Sequence, residues 1–222
     1  KRIGITGSNG KTTVKEMVAA ILRTHAGDAA VHATVGNFNN DIGLPLTLLG
    51  LTAAHRYAVI EMGMNHFGEI HYLTGLARPQ VAMVNNAMRA HLGGGFDSTA
   101  DIARAKSEIF EGLAAEGVAV LNADDAQLAI FDAAAAGHAQ LRFGLSAAAN
   151  VTARDIELGV GECRFVLVCP QGEQAIRLPA AGEHNVRNAL AAAAVALALH
   201  VPLADIAAGL TAFGGVKGRL QL

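Results

Sequence analysis

Along this chain of 222 residues, short runs of β-branched and aliphatic residues alternate with stretches in which apolar positions recur at helical spacing. Runs at residues 3–6, 31–34, 57–61, 81–84 and 118–121 read as strands, each ending in small or polar residues. In the stretch after the first run, Val14, Met17, Val18, Ile21 and Leu22 fall on one face, the stripe of a helix lying on a sheet. Such alternation predicts an α/β fold with a doubly wound, mostly parallel sheet. After residue 143 the rhythm changes. Runs at 151–158, 163–169 and 174–178 are joined by Gly159-Val160-Gly161 and Pro170-Gln171-Gly172, both turn-like, so a small antiparallel β patch is expected within residues 151–178. Two alanine-rich helices are expected near 184–199 and 203–213, with Pro202 as the stop and restart between them.

Composition narrows the picture. Hydrophobic residues make up 52% and charged residues 16%, which suits elements buried on both faces of a sheet in one domain spanning residues 1–222. A net charge of −2 offers no basic field for a nucleic-acid backbone or an anionic membrane surface, and the partners expected are small and phosphorylated. The longest apolar run, residues 189–199, is too short to span a bilayer, and the start has no signal-peptide layout. The two cysteines, Cys163 and Cys169, sit along one expected strand, too far apart to pair. Two unpaired thiols suit a reducing compartment, so cytoplasm is the expected location; separately, a monomer is expected. The chain opens inside a strand and closes without a turn signal, which reads as the middle piece of a longer protein.

The densest chemistry is Gly7-Ser8-Asn9-Gly10-Lys11-Thr12-Thr13, between the first strand and the first helix. A glycine-rich turn there aims backbone N–H groups and a positive helix end at one spot, which binds phosphate. Lys11 adds a point charge for the β- and γ-phosphates, and the Thr12 hydroxyl is placed to ligate Mg2+. The general P-loop pattern wants a glycine at position 10 − 5 = 5, where this chain has Ile5. The shorter form resembles the nucleotide loop of the Mur ligases and of folylpolyglutamate synthetase, which implies a P-loop NTPase-like fold. Two further stretches, Gly36-Asn37-Phe38-Asn39-Asn40-Asp41-Ile42-Gly43-Leu44-Pro45 and Glu61-Met62-Gly63-Met64-Asn65-His66-Phe67-Gly68-Glu69-Ile70, resemble signatures of one branch of the Mur ligases. That branch adds D-Ala-D-Ala to UDP-MurNAc-tripeptide with ATP, and the resemblance runs over essentially the whole chain.

Glu61 ends a short buried run, so its carboxylate emerges at the carboxyl edge of the sheet beside the glycine loop, where such a group holds or orients Mg2+. The resemblance makes it a metal ligand. His91 and Lys106 are separated by 106 − 91 = 15 residues, and the same resemblance puts the histidine on a second Mg2+ and a CO2-derived carbamate on the lysine. Carbamylation replaces a cation with an anionic oxygen pair that a hard cation accepts, and it requires an amine that has shed its proton. Asn185 and Asn188, three apart in the first turn of an expected helix, present amides to one spot and by resemblance read adenine. Arg219 lies where the family places an arginine that reaches the nucleotide phosphates. Asn37, Asn39, Asn40, Asp41 and His66 are candidates for the tripeptide substrate by resemblance and loop position. In the implied reaction the tripeptide carboxylate attacks the γ-phosphate of ATP, and the resulting acyl phosphate is captured by the amine of D-Ala-D-Ala. Two alternatives stand beside it: a folylpolyglutamate synthetase relative, and a nucleotide-binding module without activity of its own.

Overall fold

The structure is a computed structural model that describes residues 1–89 and 95–215. His91 and Arg219 lie outside the described residues. Six parallel strands form one sheet in the order β2-β3-β1-β4-β5-β6: β1 (Arg2–Thr6), β2 (Val31–Ala33), β3 (Tyr57–Glu61), β4 (Val81–Val84), β5 (Val118–Asn122) and β6 (Ala139–Phe143). The expected strand at 31–34 closes one residue early, and β6 is a strand that the hydrophobic pattern did not announce. Its register runs Val118↔Ala139 to Asn122↔Phe143, at the sheet edge, where Gln140, Leu141 and Arg142 are only half-buried.

Side-chain alternation along these strands divides the core in two. Ile3, Ile5, Val59, Val81, Met83 and Val120 point to one face, which is covered by α1 (Lys11–Ala26), α6 (Glu183–Ala198) and α7 (Leu203–Thr211). Ala58, Ile60, Ala82, Val84, Ala119 and Leu121 point to the other. That face meets α2 (Gly43–Leu49), α3 (Glu69–Ala77), α4 (Thr99–Ser107), α5 (Leu128–Ala134) and the 3-10 turn Glu108–Gly112. At Gly4 on β1 an added Cβ would stand 3.2 Å from Met62 and 3.3 Å from Ile109, so the missing side chain lets the second layer close onto the central strand.

The antiparallel patch is a second sheet, β7 (Thr152–Leu158), β8 (Cys163–Cys169) and β9 (Gly172–Leu178), in that order. Its inner face, with Cys163, Phe165, Leu167, Ile176 and Leu178, joins the core under α6 and α7. Both thiols are free and buried at opposite ends of β8. Among the described residues no helix is long and apolar enough to cross a membrane.

Candidate functional site

The carboxyl ends of the parallel strands gather the polar groups. Thr6 closes β1, and the next four residues form the glycine loop before α1 begins at Lys11. Gly10, the residue before the helix, has φ 77°, and an added Cβ would lie 2.7 Å from Asn188 Oδ1 and 2.8 Å from Asn85 Nδ2. Backbone conformation and crowding both require glycine there. Lys11 folds over the loop and donates to the carbonyls of Gly7 (2.6 Å) and Ser8 (3.3 Å). Thr12 and Thr13 occupy the first helical turn, partly exposed.

The loop is held from behind by two asparagines that follow β4. The Asn86 side-chain oxygen accepts from the N–H groups of Ser8 (3.1 Å) and Asn9 (2.9 Å). The amides of Asn85 and Asn86 both donate to the Asn9 carbonyl, at 2.8 and 3.1 Å. A third strand end then fastens the second: Asn122 donates to the Asn85 carbonyl at 2.8 Å, and Asp125 accepts from Ala87 N–H at 2.8 Å. Asn85, Asn86, Asn122 and Asp125 were not among the expected site residues. The partners of Asn86 lie some 77 residues away in sequence, so local spacing gave no sign of the clamp.

Glu61 is 2% exposed at the end of β3. Its N–H donates to Thr34 Oγ1 (3.0 Å), and its Oε1 accepts from Asn39 Nδ2 (2.8 Å). Glu61 Oε2 is buried with no hydrogen-bond partner, and so is Thr6 Oγ1 on the neighbouring strand, where Ile5 pairs with Glu61. A buried carboxylate oxygen left open is costly, and two orphaned hard oxygens at adjacent strand ends suit a cation such as Mg2+. Among the described residues no three His, Cys, Asp or Glu side chains form a group that could hold a metal ion.

Lys106, in the last turn of α4, is 1% exposed. Burial, and then the charge of Lys11, pull its pKa down to about 7. An amine in that range is substantially unprotonated at neutral pH, the state that adds CO2.

Asn188 is buried, and its amide donates to the Asn185 side-chain oxygen at 3.3 Å. Asn185 in turn donates to the Ala181 carbonyl at 2.8 Å. Neither amide caps α6, whose preceding residue is Gly182 with no side-chain cap. The pair faces a cleft of about 1260 Å³ lined also by Asn9, Asn86, Asp125, Phe143 and His184. Asp124 ties three walls of this cleft together. It accepts from the N–H groups of Leu145 (2.8 Å) and Ser146 (2.9 Å) and pairs with Arg187 of α6. Burial raises its pKa, but these N–H groups and the guanidinium outweigh that and leave the carboxyl below its ordinary range.

The remaining candidates spread along one rim. Asn39 touches Glu61, and its carbonyl accepts from Gly63 N–H at 2.8 Å, joining the two loops that follow β2 and β3. Asn40 turns its side-chain oxygen onto Gly43 N–H (2.8 Å) and starts α2. Asn37 and Asp41 are exposed. His66 is exposed too, 3.2 Å from Glu69.

The family model of the Mur ligase middle domain matches residues 5–196. A relative from Haemophilus influenzae named UDP-N-acetylmuramoyl-tripeptide--D-alanyl-D-alanine ligase is 49% identical over 221 residues, covering 99% of this chain and 48% of that protein. One of the same name from Escherichia coli is 45% identical over 219 residues, covering 98% and 48%. Among solved structures, MurF from Acinetobacter baumannii superposes with a TM-score of 0.94 at 47% identity, over 99% of this chain and 47% of that one. MurF from Thermotoga maritima in complex with ADP gives 0.77 at 25% identity, over 93% and 48%. The chain thus spans about half the length of the curated relatives it matches.

Proposed function

This chain belongs to the Mur ligase family, and on that premise we propose that it is the ATP-binding part of a ligase that joins D-Ala-D-Ala to UDP-MurNAc-tripeptide. The observation that carries the reading is the glycine loop with Lys11 folded over it, set beside the open carboxylate oxygen of Glu61. The names of the relatives supply the substrates, and the solved MurF complex with ADP supports the nucleotide.

In this reading a carboxylate oxygen of the tripeptide attacks the γ-phosphorus of ATP, the bond to ADP breaks, and an acyl phosphate forms. The amine of D-Ala-D-Ala then attacks the acyl carbon, phosphate leaves, and the nitrogen gives up a proton. The chain's own groups hold and polarise. Lys11 and the N–H groups at the start of α1, beyond the two that Asn86 engages, carry the β- and γ-phosphates, and Asn185 with Asn188 recognises adenine in the cleft. Thr12, Glu61, His91 and a carbamylated Lys106 are the residues assigned to two Mg2+ ions. Bound there, the metal neutralises charge on the transferring phosphoryl group. Arg219 adds a further positive charge for the phosphates. Residues 37–41 and His66 are assigned to the tripeptide. No side chain serves as a covalent nucleophile, so catalysis rests on positioning and electrostatics.

A coupled phosphate-release assay tests this with the full-length protein, ATP, UDP-MurNAc-tripeptide and D-Ala-D-Ala. Release that requires all three is expected. Release that ignores D-Ala-D-Ala, or that takes a folate in place of the tripeptide, sinks the assignment. Because the chain spans 48% of its relatives, residues 1–222 alone are expected to release no phosphate in that assay while still binding ATP in a separate titration calorimetry measurement.

A further inference from the structure

One buried cation has no part in the chemistry above. Lys15 is 1% exposed, on α1, one turn beyond Lys11. Taking an ammonium out of water costs several kcal/mol unless it is paired and hydrogen-bonded. Its Nζ donates to the Thr34 carbonyl at 2.6 Å and lies 2.8 Å from Glu16 Oε1, a carboxylate about one-third exposed. Thr34 is the first residue after β2, where the chain leaves the sheet for the 36–41 loop. Its N–H donates to the Val59 carbonyl (2.9 Å), and its hydroxyl accepts from the N–H of Glu61 (3.0 Å). From that loop Asn39 then grips Glu61 Oε1. A continuous path of hydrogen bonds therefore runs from a buried charge on the phosphate-loop helix, through Thr34, to the backbone of the open carboxylate.

We infer that Lys15 is a positioning residue that holds Thr34, and through it Glu61, in the orientation that a divalent cation needs. Lys11 and Lys15 lie four apart on one helix. The element that meets the phosphates is thus the same rigid rod that sets the metal carboxylate. This rests on the reading of Glu61 as a metal ligand. Removing groups that orient a first ligand commonly weakens metal binding by about ten- to a hundredfold. Lys15 touches neither metal nor substrate in this assignment.

The test is binding of Mn2+, as a paramagnetic stand-in for Mg2+, to the full-length protein with a non-hydrolysable ATP analogue, followed by electron paramagnetic resonance. Lys15→Met and Thr34→Val are each expected to weaken Mn2+ binding by about tenfold or more. Thr34→Ser, which keeps the hydroxyl, should stay close to wild type. The double variant should be no weaker than the worse single one, since both act on one path. Unchanged Mn2+ affinity in Lys15→Met alongside a lower melting temperature would reduce Lys15 to a fold anchor and overturn the inference. Additive losses would overturn it too, by showing separate routes. If Lys15→Met does not fold in plain buffer, it is compared with wild type in a stabilising osmolyte such as TMAO, where unchanged Mn2+ affinity again overturns the inference. A Glu61→Gln protein that binds Mn2+ like wild type marks the other failure, that of the Glu61 assignment itself, and takes the inference down with it.

Discussion

Lys15 and Lys106 are each about 1% exposed, yet their surroundings differ in kind. Around Lys15 the fold supplies a carbonyl at 2.6 Å and a carboxylate at 2.8 Å, so the ammonium is matched by an acceptor and an opposite charge. Around Lys106 burial itself penalises the charged form, and the charge that adds to it is another cation, Lys11. One pocket matches the charge of its lysine, and the other lowers the pKa of the amine it buries. Burial alone thus says nothing about what a lysine does; the groups offered to its nitrogen decide.

The sharpest way to break this contrast is to remove each nitrogen. Lys106→Met in the full-length protein is expected to cut ligase turnover by about a thousandfold, read by coupled phosphate release. In 13C-bicarbonate NMR the same variant should lack a carbamate carbon resonance that Lys15→Met retains. Similar losses in both readouts for the two variants would erase the distinction. Next in size is stability. Lys15→Met strands an acceptor and a carboxylate and should destabilise this chain by about 3 kcal/mol, whereas Lys106→Met, which removes an unmatched cation, should leave it unchanged or more stable in denaturant unfolding.

A further effect concerns pH. With its folded pKa lowered to about 7 from the ordinary 10.5, Lys106 gives up its proton in the folded chain while the unfolded chain still holds one. Between those values the unfolded state binds more protons, so stability should rise with pH from about 7 toward 10.5 and lie at its lower level below 7. Lys106→Met should flatten that rise and Lys15→Met should leave it intact, as followed by unfolding midpoints across the range.

Local patterns made part of this molecule legible. The first strand, glycine loop and amphipathic helix follow one another without interruption, so spacing alone located Lys11 and Thr12. The central strands could be read because both their faces are buried, which leaves unbroken apolar runs. β6 escaped because it lies at an edge, and Ala139-Gln140-Leu141-Arg142-Phe143 mixes long polar side chains into a short run. α2 was expected only as a helical stretch without bounds: it is seven residues long and carries Pro45 in its first turn. In the candidate site, what could not be read is what distant segments do for one another. Asn86 clamps Ser8 and Asn9 across the sheet, and Lys15 reaches Thr34 from another element. In the sequence Lys15 is one lysine among five, on a helix whose apolar stripe gives no hint of a buried ammonium.

The turn between β7 and β8 has a practical use. Val160 is fully exposed at its tip, and Val160 and Gly161 form part of the lip of the large cleft. Both native thiols, Cys163 and Cys169, are buried in the sheet behind it. A Val160→Cys variant of this chain therefore offers a single accessible thiol to a fluorescent dye, and the tip of this hairpin becomes an optical gauge for the arrival of a nucleotide.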